Sequence, residues 1–282
     1  MKELSLREIQ LAEFGVMQKL AELCNQLDLR YYLFYGTLLG AVRHQGFIPW
    51  DDDVDVAMPR PDYEKLLAYC DENADALAPY RLMHYRKDAD YIYPIARLCD
   101  TRYHVDYEGT VEYGLGLFVD IFPLDGCGNT PREAKRIHRK NDALQRLTFL
   151  AGTDRFKPSL KGGLHRTVVK FFSYCYAKCF GPRYFARKAD RNSMAIPFET
   201  SDFISCTVWF DWPQWFPKEW FGNDASLLFE GQPFCVPKQW EGMMKEWYGD
   251  YMCLPPENER IGHHHYKAYL KNAPCDVTEH SC

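Results

Sequence analysis

Four aspartates, Asp51, Asp52, Asp53 and Asp55, fall within five positions of the stretch FIPWDDDVDVAM, with apolar residues on both sides. On an extended strand alternate residues share one face and lie roughly 6.5–7 Å apart. Asp51, Asp53 and Asp55 would then form a carboxylate face, with Val54 and Val56 turned to a core. Carboxylates grouped without a neighbouring Lys or Arg repel one another and favour a divalent cation. An oxygen-only ligand set selects Mg²⁺, Mn²⁺ or Ca²⁺ over zinc. The alternative is a solvated acidic turn. An EF-hand calcium loop is excluded, because its required glycine and its final bidentate glutamate would be Val56 and Asp62 here.

A metal site for phosphoryl chemistry needs two more parts. One is a carboxylate on a neighbouring strand, and Asp120 stands alone between Val119 and Ile121 in LFVDIFPLD; a strand-end cap is the competing reading. The other is a phosphate cradle. In YGTLLGAVRH, Gly36 and Thr37 lie at a strand-to-helix turn, where backbone N–H groups and the helix dipole attract phosphate. Arg43 and His44 follow one to two turns later.

The elements that must position these residues are legible around them. A capping box, Ser5 and Glu8, opens a helix whose apolar positions Ile9, Val16, Leu20, Leu23 and Leu27 recur at helical spacing. Strands are expected over Leu29–Phe34 and Asp53–Met58, on either side of a short helix beginning at Gly36-Thr37. A third helix carries Pro61 in its first turn. Further strands are expected over Tyr91–Leu98, Tyr103–Tyr107 and Leu117–Phe122, then helices over Pro131–Phe149 and Gly163–Phe180. A hairpin turns at Glu230-Gly231, and a last helix spans Pro237–Tyr248. The organisation is a core over 1–125, a mainly helical region over 126–200 and a C-terminal segment over 201–282 that packs on the core.

Composition narrows the class. In 282 residues the apolar fraction is 46% and the charged fraction 26%, which suits a folded globular chain. The net charge of −5 and a pI near 6.0 argue against a general nucleic-acid binder. Eleven cysteines contain no CxxC pair, so zinc-ribbon and thioredoxin readings lack their spacing, and free thiols in a reducing cytoplasm fit best. The N-terminus has no apolar signal region, and no apolar run is long enough to span a membrane.

The run FYGTLLGAVRHQGFIPWDDDVDVAMPRPDYEKL resembles the LicD family of phosphocholine transferases, with the Gly-Thr-Leu-Leu-Gly-Ala-x-Arg-His turn, the Pro-Trp and the Asp-Asp-Asp-x-Asp cluster all present between Gly36 and Asp55. The likeness continues weakly through FVDIFPLDG and again near the end, in LLFEGQPFCVPKQWEGMMKEWYGDYMCLPP. It implies an α/β (α+β) nucleotidyltransferase-like mixed sheet of the DNA polymerase β type with flanking helices, a helical middle region and a C-terminal extension. It further implies a cytoplasmic bacterial enzyme that moves phosphocholine, or a related phospho-alcohol, from CDP-choline or a similar donor. The acceptor would be a sugar hydroxyl on a lipopolysaccharide, teichoic acid or capsule precursor, and CMP would be released. Asp53 and Asp55 would hold one or two Mg²⁺ or Mn²⁺ ions with help from Asp51. Asp120 would complete the metal site and accept the hydroxyl proton. Gly36, Thr37, Arg43, His44 and Arg97 would bind the donor phosphates; the other readings are a structural salt bridge for Arg97, and for His44 the orienting of an aspartate or a merely structural histidine. The same site could serve nucleotidyl transfer from an NTP with pyrophosphate release, or a non-catalytic nucleotide- or metal-binding protein.

Three other features stand out. The aromatics Trp209, Trp212, Trp215 and Tyr251 could face a trimethylammonium head, or simply fill a core. Residues 161–191 hold eight Lys or Arg against one acid, Asp190, interleaved with apolar residues. Such a segment can rest on an anionic membrane at the inner face, or be the solvated side of a packed helix. His263 to His265 could bring one imidazole towards the site from the C-terminal segment.

Overall fold

The computed structural model describes residues 2–107, 116–153, 155–158, 163–209, 214–222, 224–262 and 266–271. Trp212 and His263 to His265 lie outside these residues. Helix α1 (Leu6–Gln26) starts with the expected box: the Ser5 Oγ accepts from the Glu8 N–H, and the Glu8 carboxylate accepts from the Ser5 N–H. Its Val16, Met17, Leu20 and Leu23 are buried, and they pack on one face of a mixed sheet.

That sheet runs in the order β1 (Tyr32–Leu33), β2 (Asp55–Pro59), β6 (Leu117–Gly126), β4 (Ala96–Asp100), β3 (Tyr80–Met83). Strands β2 and β6 are parallel, and the other pairings along this path are antiparallel. Every position of β2, β4 and β6 is buried. This explains why these strands read as continuous apolar runs in which a lone acid stands out. Helix α2 (Tyr35–His44) connects β1 to β2, and α3 (Arg60–Glu72) follows β2 with Pro61 near its start. A short pair, β5 (Tyr103–Tyr107) with β11 (Tyr266–Leu270), ties the C-terminal segment to the core.

The region after β6 is helical: α4 (Pro131–Gly152), α5 (Gly163–Phe180) and α6 (Pro182–Ser193). Strands β7 (Phe203–Ser205) and β8 (Phe216–Pro217) extend the sheet beyond β6. The hairpin β9 (Ser226–Phe229) and β10 (Gln232–Cys235) turns at Glu230 and Gly231, both at positive φ, as the sequence indicates. Helix α7 (Trp240–Tyr248) ends at Gly249. A buried ion cluster fastens α6 to the sheet: Arg60, directly after β2, pairs with Asp125 of β6 and Asp190 of α6, and Arg86 also reaches Asp190. No helix among the described residues is long and apolar enough to cross a membrane.

Several boundaries differ from expectation for physical reasons. β4 begins at Ala96 and not at Tyr91, because Pro94 has no N–H for the ladder. α6 was not anticipated, although Gly181-Pro182 supplies its start. β2 begins at Asp55, because the Asp51 N–H donates to the Ile48 carbonyl at 2.9 Å and closes a turn ahead of the strand. The acidic cluster is therefore a turn leading into a strand, not one extended face.

Candidate active site

Asp55 opens β2 and stands opposite Asp120 of β6 in the parallel register. Arg97 of β4 stands opposite Asp120 on its other side. The three side chains thus share one row across the middle of the sheet, and all three are buried. Arg97 donates from Nε to Asp120 Oδ1 at 2.5 Å and from Nη2 to Oδ2 at 3.1 Å. Its guanidinium also lies over the Phe118 and Tyr93 rings, at 4.0 and 5.1 Å. Of the two readings of Arg97, the structure displays the ion pair.

The turn before β2 brings its carboxylates together. Oxygens of Asp51, Asp52 and Asp53 lie within 4.8 Å of one another, close enough to ligate one cation. Asp52 joins this group, which strand alternation had left aside. Burial, then the charges of Asp53, Asp120 and Asp51, push the Asp55 carboxyl well above its usual range. The Arg97 charge opposes this shift without cancelling it. Three converging carboxylates, with Asp55 and Asp120 on the adjoining strands, form an oxygen-donor site that fits a divalent cation.

The Gly36-Thr37 turn lies against the same carboxylates. A Cβ on Gly36 would stand 2.9 Å from Asp51 Oδ2, so only glycine lets the carboxylate come this close. The Thr37 hydroxyl accepts the Asp55 N–H at 2.8 Å and fixes the entry into β2. Phe34, the N-cap residue of α2, makes no side-chain cap hydrogen bond, and the positive end of the helix dipole points into this turn beside the Asp51 carboxylate.

Arg43 and His44 sit in the last turn of α2 and face the C-terminal segment. Arg43 Nη1 donates to the carbonyls of Tyr251 and Cys253, each at 3.4 Å, and its Nε donates to His44 Nε2 at 3.0 Å. Burial, with Arg43 alongside, holds His44 below its ordinary range, so it is a neutral acceptor. Burial, and then the charge of Arg260, lowers Arg43; the Arg260 guanidinium lies 5.6 Å from the Trp50 ring centroid. Tyr248 at the end of α7 links the two halves. Burial and the charges of Asp55, Asp51 and Asp53 push its hydroxyl up, and the Arg43 charge opposes them.

Three supporting residues escaped the sequence reading besides Tyr248. Gln10 Nε2 donates to the Asp51 carbonyl at 2.9 Å, Glu13 is fully buried, and Tyr266 Oη lies 3.0 Å from Glu13 Oε1 and 2.8 Å from the Asp52 carbonyl. The signal for Glu13 was present. It occupies the apolar phase between Ile9 and Val16, where a helix facing a core should carry a hydrophobe. Trp209, by contrast, packs with Tyr93 and Phe149, and Trp215 with His138.

A family model described as LicD/FKTN/FKRP, nucleotidyltransferase domain, matches residues 28–142. The chain is 30% identical to the lipopolysaccharide cholinephosphotransferase LicD of Haemophilus influenzae, over 96% of this chain and 100% of that protein. Uncharacterized proteins of Rickettsia prowazekii and Rickettsia typhi match at 44% identity over 52 residues, which is 18% of this chain and 20% and 17% of theirs.

Proposed function

The chain belongs to the LicD family, and from that premise we propose that it transfers phosphocholine, or a related phospho-alcohol, from a CDP-linked donor to a sugar hydroxyl of a surface-glycan precursor in the cytoplasm. The observation that carries this reading is the row Asp55–Asp120–Arg97 beside the Asp51–Asp53 turn, five carboxylates with one cationic partner. A relative aligned along its whole length and named as a lipopolysaccharide cholinephosphotransferase supports phosphocholine as the group transferred and a glycan as its acceptor.

Asp53 and Asp55, with Asp51, would hold one or two Mg²⁺ or Mn²⁺ ions. When bound, such an ion supplies Lewis-acid neutralisation of the donor pyrophosphate. The chain's own groups do the rest. Gly36, Thr37 and the start of α2 receive phosphate oxygens at a dipole end. Asp120, steadied on one edge by Arg97, accepts the proton of the sugar hydroxyl. The oxygen of that hydroxyl forms the new bond to the phosphorus next to the choline. The bond from this phosphorus to the CMP oxygen breaks, and its electron pair leaves with CMP. Arg43 adds positive charge at the far end of α2.

Donor turnover tests the reading. With CDP-choline, Mg²⁺ and an acceptor glycan, CMP should appear in an acceptor-dependent manner. Pyrophosphate released from CTP with no CMP from CDP-choline would show nucleotidyl transfer, and no product from either donor would leave a binding protein.

A further inference from the structure

The helical region after β6 is chemically unlike the rest of the chain. Between Pro131 and Met194 there are sixteen Lys and Arg against four acids, in a chain whose net charge is −5. One of those acids, Asp190, is buried and paired with Arg60 and Arg86, so it does not offset the charge at the surface.

Helix α5 adds an apolar outer face. Its inner side packs through Ala177 on Ala151 of α4 and Phe185 of α6. Its outer side presents Val168, Val169, Phe171, Phe172, Tyr176 and Phe180, all exposed, with Phe172 at 68% and Val169 at 51%. These residues follow helical spacing and form one continuous stripe towards solvent, where a surface helix ordinarily carries polar groups. The stripe passes into α6 through the stacked Phe180 and Tyr184 rings, 4.7 Å apart, and Lys188 lies 4.4 Å over the Tyr184 ring. Arg187 and Arg191 are exposed on the same helix.

We propose that α5 and α6 dock this protein on an anionic lipid bilayer, with the α5 stripe entering the headgroup boundary and the α6 basic residues lying against acidic headgroups. An apolar face bordered by cations, with the nearby acid buried, is complementary to that surface. A second copy of the chain is a poorer occupant, because a twofold contact through the stripe would bring two basic borders together. The inference is independent of the reaction proposed above.

Vesicle flotation of the full chain tests it, using phosphatidylcholine alone and an equal mixture of phosphatidylcholine and phosphatidylglycerol. The protein should float with the mixed vesicles, with at least about a tenfold lower bound fraction on phosphatidylcholine alone. Raising the salt concentration should release it. The Val168→Glu/Phe172→Glu variant should lose flotation with an unchanged circular dichroism melt, since both side chains are exposed. Arg187→Glu/Lys188→Glu should weaken binding and flatten the salt dependence. The proposal is overturned if the wild-type chain stays with the unbound fraction, or if both variants float as it does. It is equally overturned if the stripe variant turns a dimer into a monomer while the wild-type chain ignores both vesicles.

Discussion

Arg97 grips Asp120 with two guanidinium nitrogens from the neighbouring strand, and both side chains are 7% exposed. A carboxylate held along one edge keeps lone pairs for further partners. Removing the guanidinium leaves Asp120 buried and uncompensated. Arg97→Met should therefore cost about 3–5 kcal/mol in urea unfolding. Arg97→Lys should fall between the two, because a lysine cannot reproduce the forked contact. An unchanged midpoint in Arg97→Met would remove the pair from any structural role.

Thr37 acts on Asp55 through the backbone, by accepting its N–H. Thr37→Val leaves that N–H without its acceptor and should cost about 1–3 kcal/mol. It should lower kcat more than it raises KM, since the misplaced group is a carboxylate of the site. Thr37→Ser should restore both. Equal activity in the valine and serine variants would refute the link.

Asp55 should show a conflict between stability and activity. Its folded pKa is raised above the unfolded value, so the native state loses stability as pH rises above the ordinary carboxylate range. In chelator-treated protein at neutral pH, Asp55→Asn should be more stable by on the order of 1 kcal/mol, or about 2–4 °C in Tm. The same variant should lose turnover by at least about a hundredfold. Mg²⁺ should raise the Tm of the wild-type chain and leave that of the variant unmoved. A variant that melts lower than wild type without metal would contradict the crowding argument.

His138 sets an acid limit on the helical region. Its Nε2 lies 3.0 Å from Ser205 Oγ, and burial lowers its pKa to about 4 despite a backbone hydrogen bond to Gln214. The unfolded side chain takes its proton near pH 6.5. Stability is thus intact above that pH, falls as pH drops through it, and levels off below about 4. Between pH 7 and pH 5 the loss should be about 2 kcal/mol. Chemical denaturation at the two pH values checks this, and His138→Gln should lack this part of the loss.

How much of this was readable in advance depends on how local each signal is. The capping box, the Glu230-Gly231 turn and the lone Asp120 in an apolar strand were visible because each depends on a few adjacent residues. So was the grouping of Gly36, Thr37, Asp51, Asp53 and Asp55. Their arrangement was less accessible. Alternation on a strand suggested three carboxylates on one face, whereas the turn closed at Asp51 gathers Asp51, Asp52 and Asp53 instead. Arg97 could not be assigned, since its partner is chosen by the register of β4 on β6. Tyr248 and Tyr266 lie some two hundred residues from the acids they approach, and no spacing rule reaches that far. Residues 126–200 read only as helices, because their packing on the core runs through the buried charges Asp190, Arg60 and Arg86.

Tyr266 meets Glu13 across 253 residues of chain and touches the Asp52 carbonyl as it does so. Closing so long a loop carries a large entropic cost, and contacts of this kind form late on a folding route. The sheet and α1 can condense first, while the four mutually repelling aspartates are still unbraced. Tyr266→Phe should then leave the refolding rate nearly unchanged and speed unfolding. On such a route the acidic turn would gain its C-terminal brace only after the sheet and α1 are in place.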